Sequence, residues 1–166
     1  HAVNPCDPLT CDYPTGDDYS DCQTYFNGDP GIGADYLHGL GVDGTGVRIT
    51  DCEYEVDPGH QDLAGMFDLE TGIEDSALCG NGADHGTAVL GTLVANAANG
   101  IGAKGMTPAA TCFLYPTRTY HEVEQQCLSR LEVAVANAII DSDEGDVILL
   151  EQAVNLGGQV GQVPLE

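Results

Sequence analysis

His85-Gly86-Thr87-Ala88-Val89-Leu90-Gly91-Thr92-Leu93-Val94-Ala95-Asn96-Ala97 is the stretch whose pattern decides the fold class. Ala88, Val89, Leu90, Leu93, Val94 and Ala95 fall at helical spacing, and the small residues Gly86, Gly91 and Ala97 leave room for a close neighbour. This is the signature of a buried helix lying tightly on a sheet. Upstream, Ala34–Leu40 reads as a short helix ended by Gly39 and Gly41, and the turn Asp43-Gly44-Thr45-Gly46 leads into a strand, Val47-Arg48-Ile49-Thr50. The strand is expected to stop at Asp51, where an acidic loop with Pro58 and Gly59 begins. Downstream, beyond Asn99-Gly100 and the turn at Pro108, Thr111–Tyr115 reads as a second strand. His121–Ile140 is expected to be a long amphipathic helix with Val123, Cys127, Leu131, Val135 and Ile139 on one stripe, and Asp146–Glu151 a third strand. Strands alternating with helices imply an α/β fold, a parallel sheet with crossover helices.

Residues 1–30 stand apart. They are rich in Asp, Pro, Gly, Tyr and Cys without an apolar period, so they read as an irregular arm held by disulfides, with residues 31–166 forming the body. There is no internal repeat and no low-complexity tract.

Composition narrows the function classes. Of 166 residues, 42% are hydrophobic, enough for a core, while 4 Lys and Arg face 27 Asp and Glu for a formal charge of −23. Such a surface repels phosphate backbones and anionic membranes, which excludes nucleic acid as a partner. The excess carboxylates call for bound divalent cations, a salty medium or plain solvation, and solvation is the simplest. Seven cysteines, at 6, 11 and 22 and onward, point to an oxidising compartment and hence to a secreted, extracellular protein. The odd number leaves one thiol free or paired elsewhere, and Cys52 reads as a buried free thiol. No Cys-x-x-Cys occurs, and His38, His60 and His121 lack zinc-ligand spacing. No apolar run of about 18 residues exists to span a membrane. The polar, Asp- and Pro-rich start at His1 is that expected of a mature N-terminus.

In parallel sheets catalytic groups gather at the carboxyl ends of strands, and Asp51 and Glu151 both sit where a strand is expected to run out. His85 opens the decisive helix. A carboxylate at a strand end beside a helix N-terminus can fix an imidazole's tautomer and stabilise its protonated form, which makes Asp51 the expected partner of His85. Alone, one Asp and one His in an acidic protein are equally a solvated helix cap and a surface acid.

The wider sequence adds weight. Asp84-His85-Gly86-Thr87-Ala88-Val89-Leu90-Gly91-Thr92 resembles the histidine motif of the subtilisin-like serine peptidases. Gly44-Thr45-Gly46-Val47-Arg48-Ile49-Thr50-Asp51 resembles the aspartate block of that family, and His60-Gln61-Asp62-Leu63 the segment after it. Asn99-Gly100-Ile101-Gly102 and Gly105-Met106-Thr107-Pro108-Ala109-Ala110 resemble two further family segments in the expected order. The resemblance implies an endopeptidase in which His85 is the general base, Asp51 orients it, and peptide pairs as an added strand with Leu150, Glu151 and Gln152 near the primary specificity pocket. It also implies a structural Ca²⁺ held by Asp62, Asn99 and backbone oxygens of Ile101 and Ala103, with Gln23 and the Ala97 region nearby.

The chain departs from the family in three places. Cys52-Glu53-Tyr54 follows the aspartate in place of a small residue and glycine, and Ala88 stands where a second histidine is common. Glu151 replaces a serine, so it either favours basic substrate side chains or is a solvated strand end. The Gly-Thr-Ser nucleophile motif and the oxyanion-hole Asn do not occur in residues 86–166. Ser20, Ser76, Ser129 and Ser142 lack the glycine-flanked helix start that suits a nucleophile. The expectation is therefore a two-chain enzyme, inactive alone, whose C-terminal partner chain from the same precursor carries the serine. The alternatives are a pseudoprotease that binds peptides or proteins without cleaving them, and a metal-dependent hydrolase built on Asp51, Glu53, Glu55 and Asp57.

Overall fold

The computed structural model describes residues 19–28, 30–69, 79, 83–151, 153–156 and 159–162. Residues 1–18 of the expected arm at residues 1–30 lie outside them. Helix α1 (Ala34–Gly39) precedes strand β1 (Arg48–Glu53), and β2 (Phe67–Leu69), α2 (Ala83–Val94) and β3 (Thr111–Pro116) follow. Next come the strands β4 (Arg118–His121) and β5 (Gln126–Ser129), helix α3 (Leu131–Asp141), β6 (Val147–Leu149), and the pair β7 (Ala153–Leu156) and β8 (Gln159–Gln162).

The central sheet has the order β2-β3-β1-β6, and all its pairings are parallel. The expected α/β class with a parallel sheet holds. β1 lies between β3 and β6, with Asp51 opposite Leu114 on one side and Leu149 on the other. Period-two alternation splits β1 between two cores. Ile49 joins Leu90 and Val94 of α2 and Cys112 and Leu114 of β3, whereas Cys52 joins Tyr115 and Ala134 and Ala138 of α3. One helix therefore covers each face. Leu90 and Val94 are fully buried, each contributing about 1.5–3 kcal/mol, so truncating Leu90 to Ala would open a cavity under the sheet.

Two expected elements are corrected. β1 does not stop at Asp51 but continues to Glu53, and its last five residues are all buried. The expected helix over His121–Ile140 begins only at Leu131; before it, β4 and β5 pair antiparallel, with Tyr120 opposite Cys127. Gln125 takes a left-handed φ of 50° in the connecting turn, Val123 is exposed, and Cys127 is tied by a disulfide to Cys79. The apolar stripe of Val123 and Cys127 was therefore a coincidence of spacing.

From residue 19 onward the arm is more than irregular. Phe26 is fully buried, with His38 edge-on to its ring and the Lys104 ammonium 4.7 Å from its centroid. Cys22 is disulfide-bonded. Among the described residues Cys52 and Cys112 are buried thiols in no disulfide, and burial is what was expected of Cys52. No helix among the described residues is long and apolar enough to cross a membrane.

Candidate active site

Because β2 and β3 run parallel, the intervening α2 must start at the sheet's carboxyl edge and return along its face. His85, the third residue of α2, is thereby held above the end of β1. Its Nδ1 is bonded to Glu53 Oε2, not to Asp51. This corrects the expected pair. Ile49, Asp51 and Glu53 share the α2 face of β1, but at about 3.3 Å per residue Asp51 lies some 7 Å further down the strand than Glu53. Glu53 is 1% exposed in its side chain and His85 56%, so a buried carboxylate grips Nδ1 of a ring that is more than half exposed. The other Glu53 oxygen accepts the Tyr54 N–H at 2.6 Å, which fixes the carboxylate plane.

The contact depends on Gly86. A Cβ there would lie 2.0 Å from the Glu55 carbonyl oxygen and 2.9 Å from Glu53 Cγ, so only glycine lets the helix start approach the strand end. Thr87 Oγ1 accepts the Asp57 N–H at 2.9 Å and ties the loop after β1 to the same helix. On the far side the Arg118 guanidinium stacks over Tyr54 at 3.8 Å, anchoring the β4–β5 hairpin next to Glu53.

Asp51 is completely buried, and neither carboxylate oxygen has a hydrogen-bond partner among the described residues. Burial, reinforced by Glu53 and Glu151 and opposed by His85, pushes its pKa up to about 7. Burial likewise pushes the Cys52 thiol up to about 11 and Cys112 to about 12, so neither is the thiolate a cysteine nucleophile requires.

Leu150 is half-buried against the α3-side core and Glu151 is exposed just beyond β6, while Gln152 lies outside the described residues. Of the serines, Ser129 ends β5 rather than sitting in a helix, and Ser142 follows α3 and donates to the Ala138 carbonyl at 2.7 Å. Ser20 lies in a 3₁₀ turn, and Ser76 is outside the described residues. No described serine is hydrogen-bonded to His85.

The residues expected around a cation do converge. Asp62, 3% exposed, accepts from Asn99 Nδ2 at 3.0 Å and from the Ala103 N–H at 2.9 Å, and Asn99 Oδ1 accepts the Ile101 N–H at 3.1 Å. Gln23 joins from the arm, its Oε1 accepting the Lys104 N–H at 2.7 Å and its Nε2 donating to the Lys104 carbonyl at 2.9 Å. One carboxylate with amide oxygens is hard-cation chemistry, although each of these oxygens already accepts an N–H. Among the described residues there is no group of three or more His, Cys, Asp or Glu side chains that could hold a metal ion.

Glu53, which the sequence offers only as a departure from the family and as a carboxylate of a metal site, is the residue that meets His85. The signal was the alternation Ile49, Asp51, Glu53, which places both acids on one face once the strand is run to its true end. No family model matches the chain, and no curated protein matches it.

Proposed function

We propose that this chain supplies the acid and the base of a secreted, subtilisin-like serine endopeptidase, with Glu53 in the orienting role that the resemblance assigns to Asp51. The observation that carries the reading is the Glu53–His85 pair: a buried carboxylate on Nδ1 of an imidazole whose side chain is more than half exposed. Nε2 takes the nucleophile's proton and returns it to the leaving amine, while Glu53 holds the tautomer and stabilises the imidazolium. The serine and the oxyanion-hole donors come, on this reading, from polypeptide outside these 166 residues. Peptide substrate lies along the exit of β6, at Leu150, Glu151 and Gln152. Calcium, held by Asp62, Asn99, Ile101 and Ala103, supplies local charge neutralisation and stiffens the loop after α2.

The test is labelling of the assembled protein with a fluorophosphonate probe, followed by denaturing separation of chains. Label on a polypeptide outside residues 1–166, lost in His85→Ala, is the expected result. Label on this chain, or no label on folded material, overturns the proposal, the latter in favour of a binding module without catalysis.

A further inference from the structure

Beside the helix that carries His85 lies a cleft of about 470 Å³ that the Glu53–His85 pair does not use. Gln23 and Tyr25 of the arm form one wall, Asp57 and His60 of the loop after β1 another, and α2 from Thr87 to Thr92 the third. The walls are held by bonds of their own. The Tyr25 hydroxyl accepts from Gln23 Nε2 at 2.6 Å, and its ring is tilted against Phe26 with 5.0 Å between centroids. His60 Nδ1 accepts the Asp62 N–H at 3.3 Å, and Thr87 Oγ1 fixes the Asp57 N–H.

Gly91 sets this cleft apart from ordinary packing. A Cβ at Gly86 would collide with backbone, whereas one at Gly91 would meet nothing within 4 Å. Glycine inside a helix costs about 1 kcal/mol relative to alanine, and no neighbouring atom requires it here. With Ala88 and Ala103, which also line the cleft, it leaves an apolar strip against which an alkyl chain can lie. Charge in the cleft is one-sided. Asp57 and Asp62 line it and no Lys or Arg does, because the Lys104 ammonium, one residue beyond Ala103, is bonded to Asp35 at 2.6 Å. Both Asp62 oxygens already accept N–H groups, from Asn99 and from Ala103. Asp57 Oδ1 accepts the Gly59 N–H at 2.8 Å, and Asp57 Oδ2 has no partner among the described residues. Thr92 Oγ1 donates to the Ala88 carbonyl at 2.9 Å, so its oxygen is left as an acceptor.

We propose that this cleft binds a primary alkylammonium group, supplied by a lysine side chain or by a free amine. The ammonium, a donor of three hydrogen bonds and an acceptor of none, sits on Asp57 Oδ2 and Thr92 Oγ1, and Asp62 adds negative charge without giving up its own bonds. The alkyl chain lies along Ala88, Gly91 and Ala103, and the Tyr25 ring at the cleft wall favours a cation as well as a methylene chain. None of this depends on what the Glu53–His85 pair does.

The experiment is an NMR titration of the backbone amides of the protein with cadaverine and with acetyl-lysine methylamide, and with pentanol as the uncharged control, in about 0.1 M salt to screen diffuse attraction to the acidic surface. Saturable shifts confined to Tyr25, the loop from Asp57 to His60 and the α2 segment from Thr87 to Thr92 are expected from both amines and not from pentanol. Asp57→Asn should weaken binding about tenfold, and Glu144→Gln, which removes an exposed acid beyond α3, should leave it unchanged. Gly91→Leu should abolish binding by filling the open space; if that variant fails to fold, Asp57→Asn decides, since the amide can still accept the Gly59 N–H. Tighter binding of the lysine derivative assigns the cleft to a polypeptide side chain, and tighter binding of cadaverine to a free amine. Shifts that never saturate, pentanol binding as well as the amines, or Asp57→Asn binding as the unmodified protein does would each overturn the proposal.

Discussion

Glu53 and Asp51 project from the same face of β1 two residues apart, and only Glu53 meets His85. The difference is height on the strand. The first turn of α2 stands level with the last residue of β1, and the close approach at Gly86 keeps it there. On the proposed endopeptidase reading, Glu53→Gln should therefore lower kcat by about 10²–10⁴ with little change in KM, because the amide can favour the wrong imidazole tautomer without altering substrate contacts. Steady-state kinetics on a peptide substrate provide the check, and unchanged turnover would return the orienting role to Asp51.

Gly86→Ala tests the close approach itself. The added methyl has backbone on one side, the Glu55 carbonyl, so α2 must lift as a body rather than a side chain step aside. The expected loss is about 1–3 kcal/mol in denaturant unfolding. The His85 ring resonances should also shift as the contact to Glu53 lengthens, which a purely distant core defect would not produce.

The buried Asp51 makes stability pH-dependent in an unusual direction. Its folded pKa, about 7, lies above the ordinary value of 3.8, so between these the native state holds a proton that the unfolded chain has released. Stability from this residue therefore falls as pH rises from the unfolded value to the folded one, and is level above it. Asp51→Asn should raise the stability at about pH 8 by up to roughly 4 kcal/mol and leave it nearly unchanged below about pH 4. Denaturant midpoints measured across that range decide it; equal midpoints for both proteins at every pH would mean that Asp51 ionises freely in the fold.

Much of this architecture is legible in the residues. The helix of Leu90 and Val94, the strand Thr111–Tyr115 and the short helix from Ala34 all appear where apolar spacing and glycines put them, because each is a local pattern with one dominant period. The hairpin of β4 and β5 was not legible. Its geometry depends on a left-handed Gln125 and on Cys127 reaching Cys79, neither of which leaves a periodic trace. The site was half legible. His85 announces itself through Gly86 and Thr87, while the choice between Asp51 and Glu53 turns on where β1 ends, the feature that sequence patterns fix least well. Asp62, Asn99 and Ala103 were nominated together through resemblance and are brought together by the loop after α2.

That loop closes on Asp62 so tightly that Gly102, at φ +63°, occupies space where a Cβ would lie 1.7 Å from Asp62 Oδ2. Asp62→Ala would strand the Asn99 amide and the Ala103 N–H, costing about 1–3 kcal/mol per buried donor left without a partner. If calcium binds here it must draw Asn99 Oδ1 away from the Ile101 N–H. Millimolar Ca²⁺ should raise Tm, with the rise reversed by chelator and abolished in Asp62→Asn. A Tm indifferent to Ca²⁺ would leave the N–H clamp as the whole of the loop's support.

The last prediction concerns the edge at β6. Among the described residues β6 pairs with β1 alone, so its other edge offers unpaired backbone groups, and Val147 and Ile148 on it are 47% and 37% exposed. Ile139 and Ile140, at the end of the α3 helix that leads into this strand, are 60% and 77% exposed. Open backbone next to exposed branched side chains is the surface on which further parallel strands would extend the sheet, and it is also a template for self-association. The isolated 166-residue polypeptide should therefore form concentration-dependent oligomers, measurable by sedimentation velocity. Ile148→Lys should reduce them by placing a charge on the open edge, and Ile140→Lys by breaking the apolar patch beside it. If, as proposed, further polypeptide completes the sheet, the same Ile148→Lys should instead weaken its association with this edge. Monomeric behaviour of the isolated polypeptide at high concentration, with no effect of either substitution on assembly, would show that this edge is not where the sheet continues.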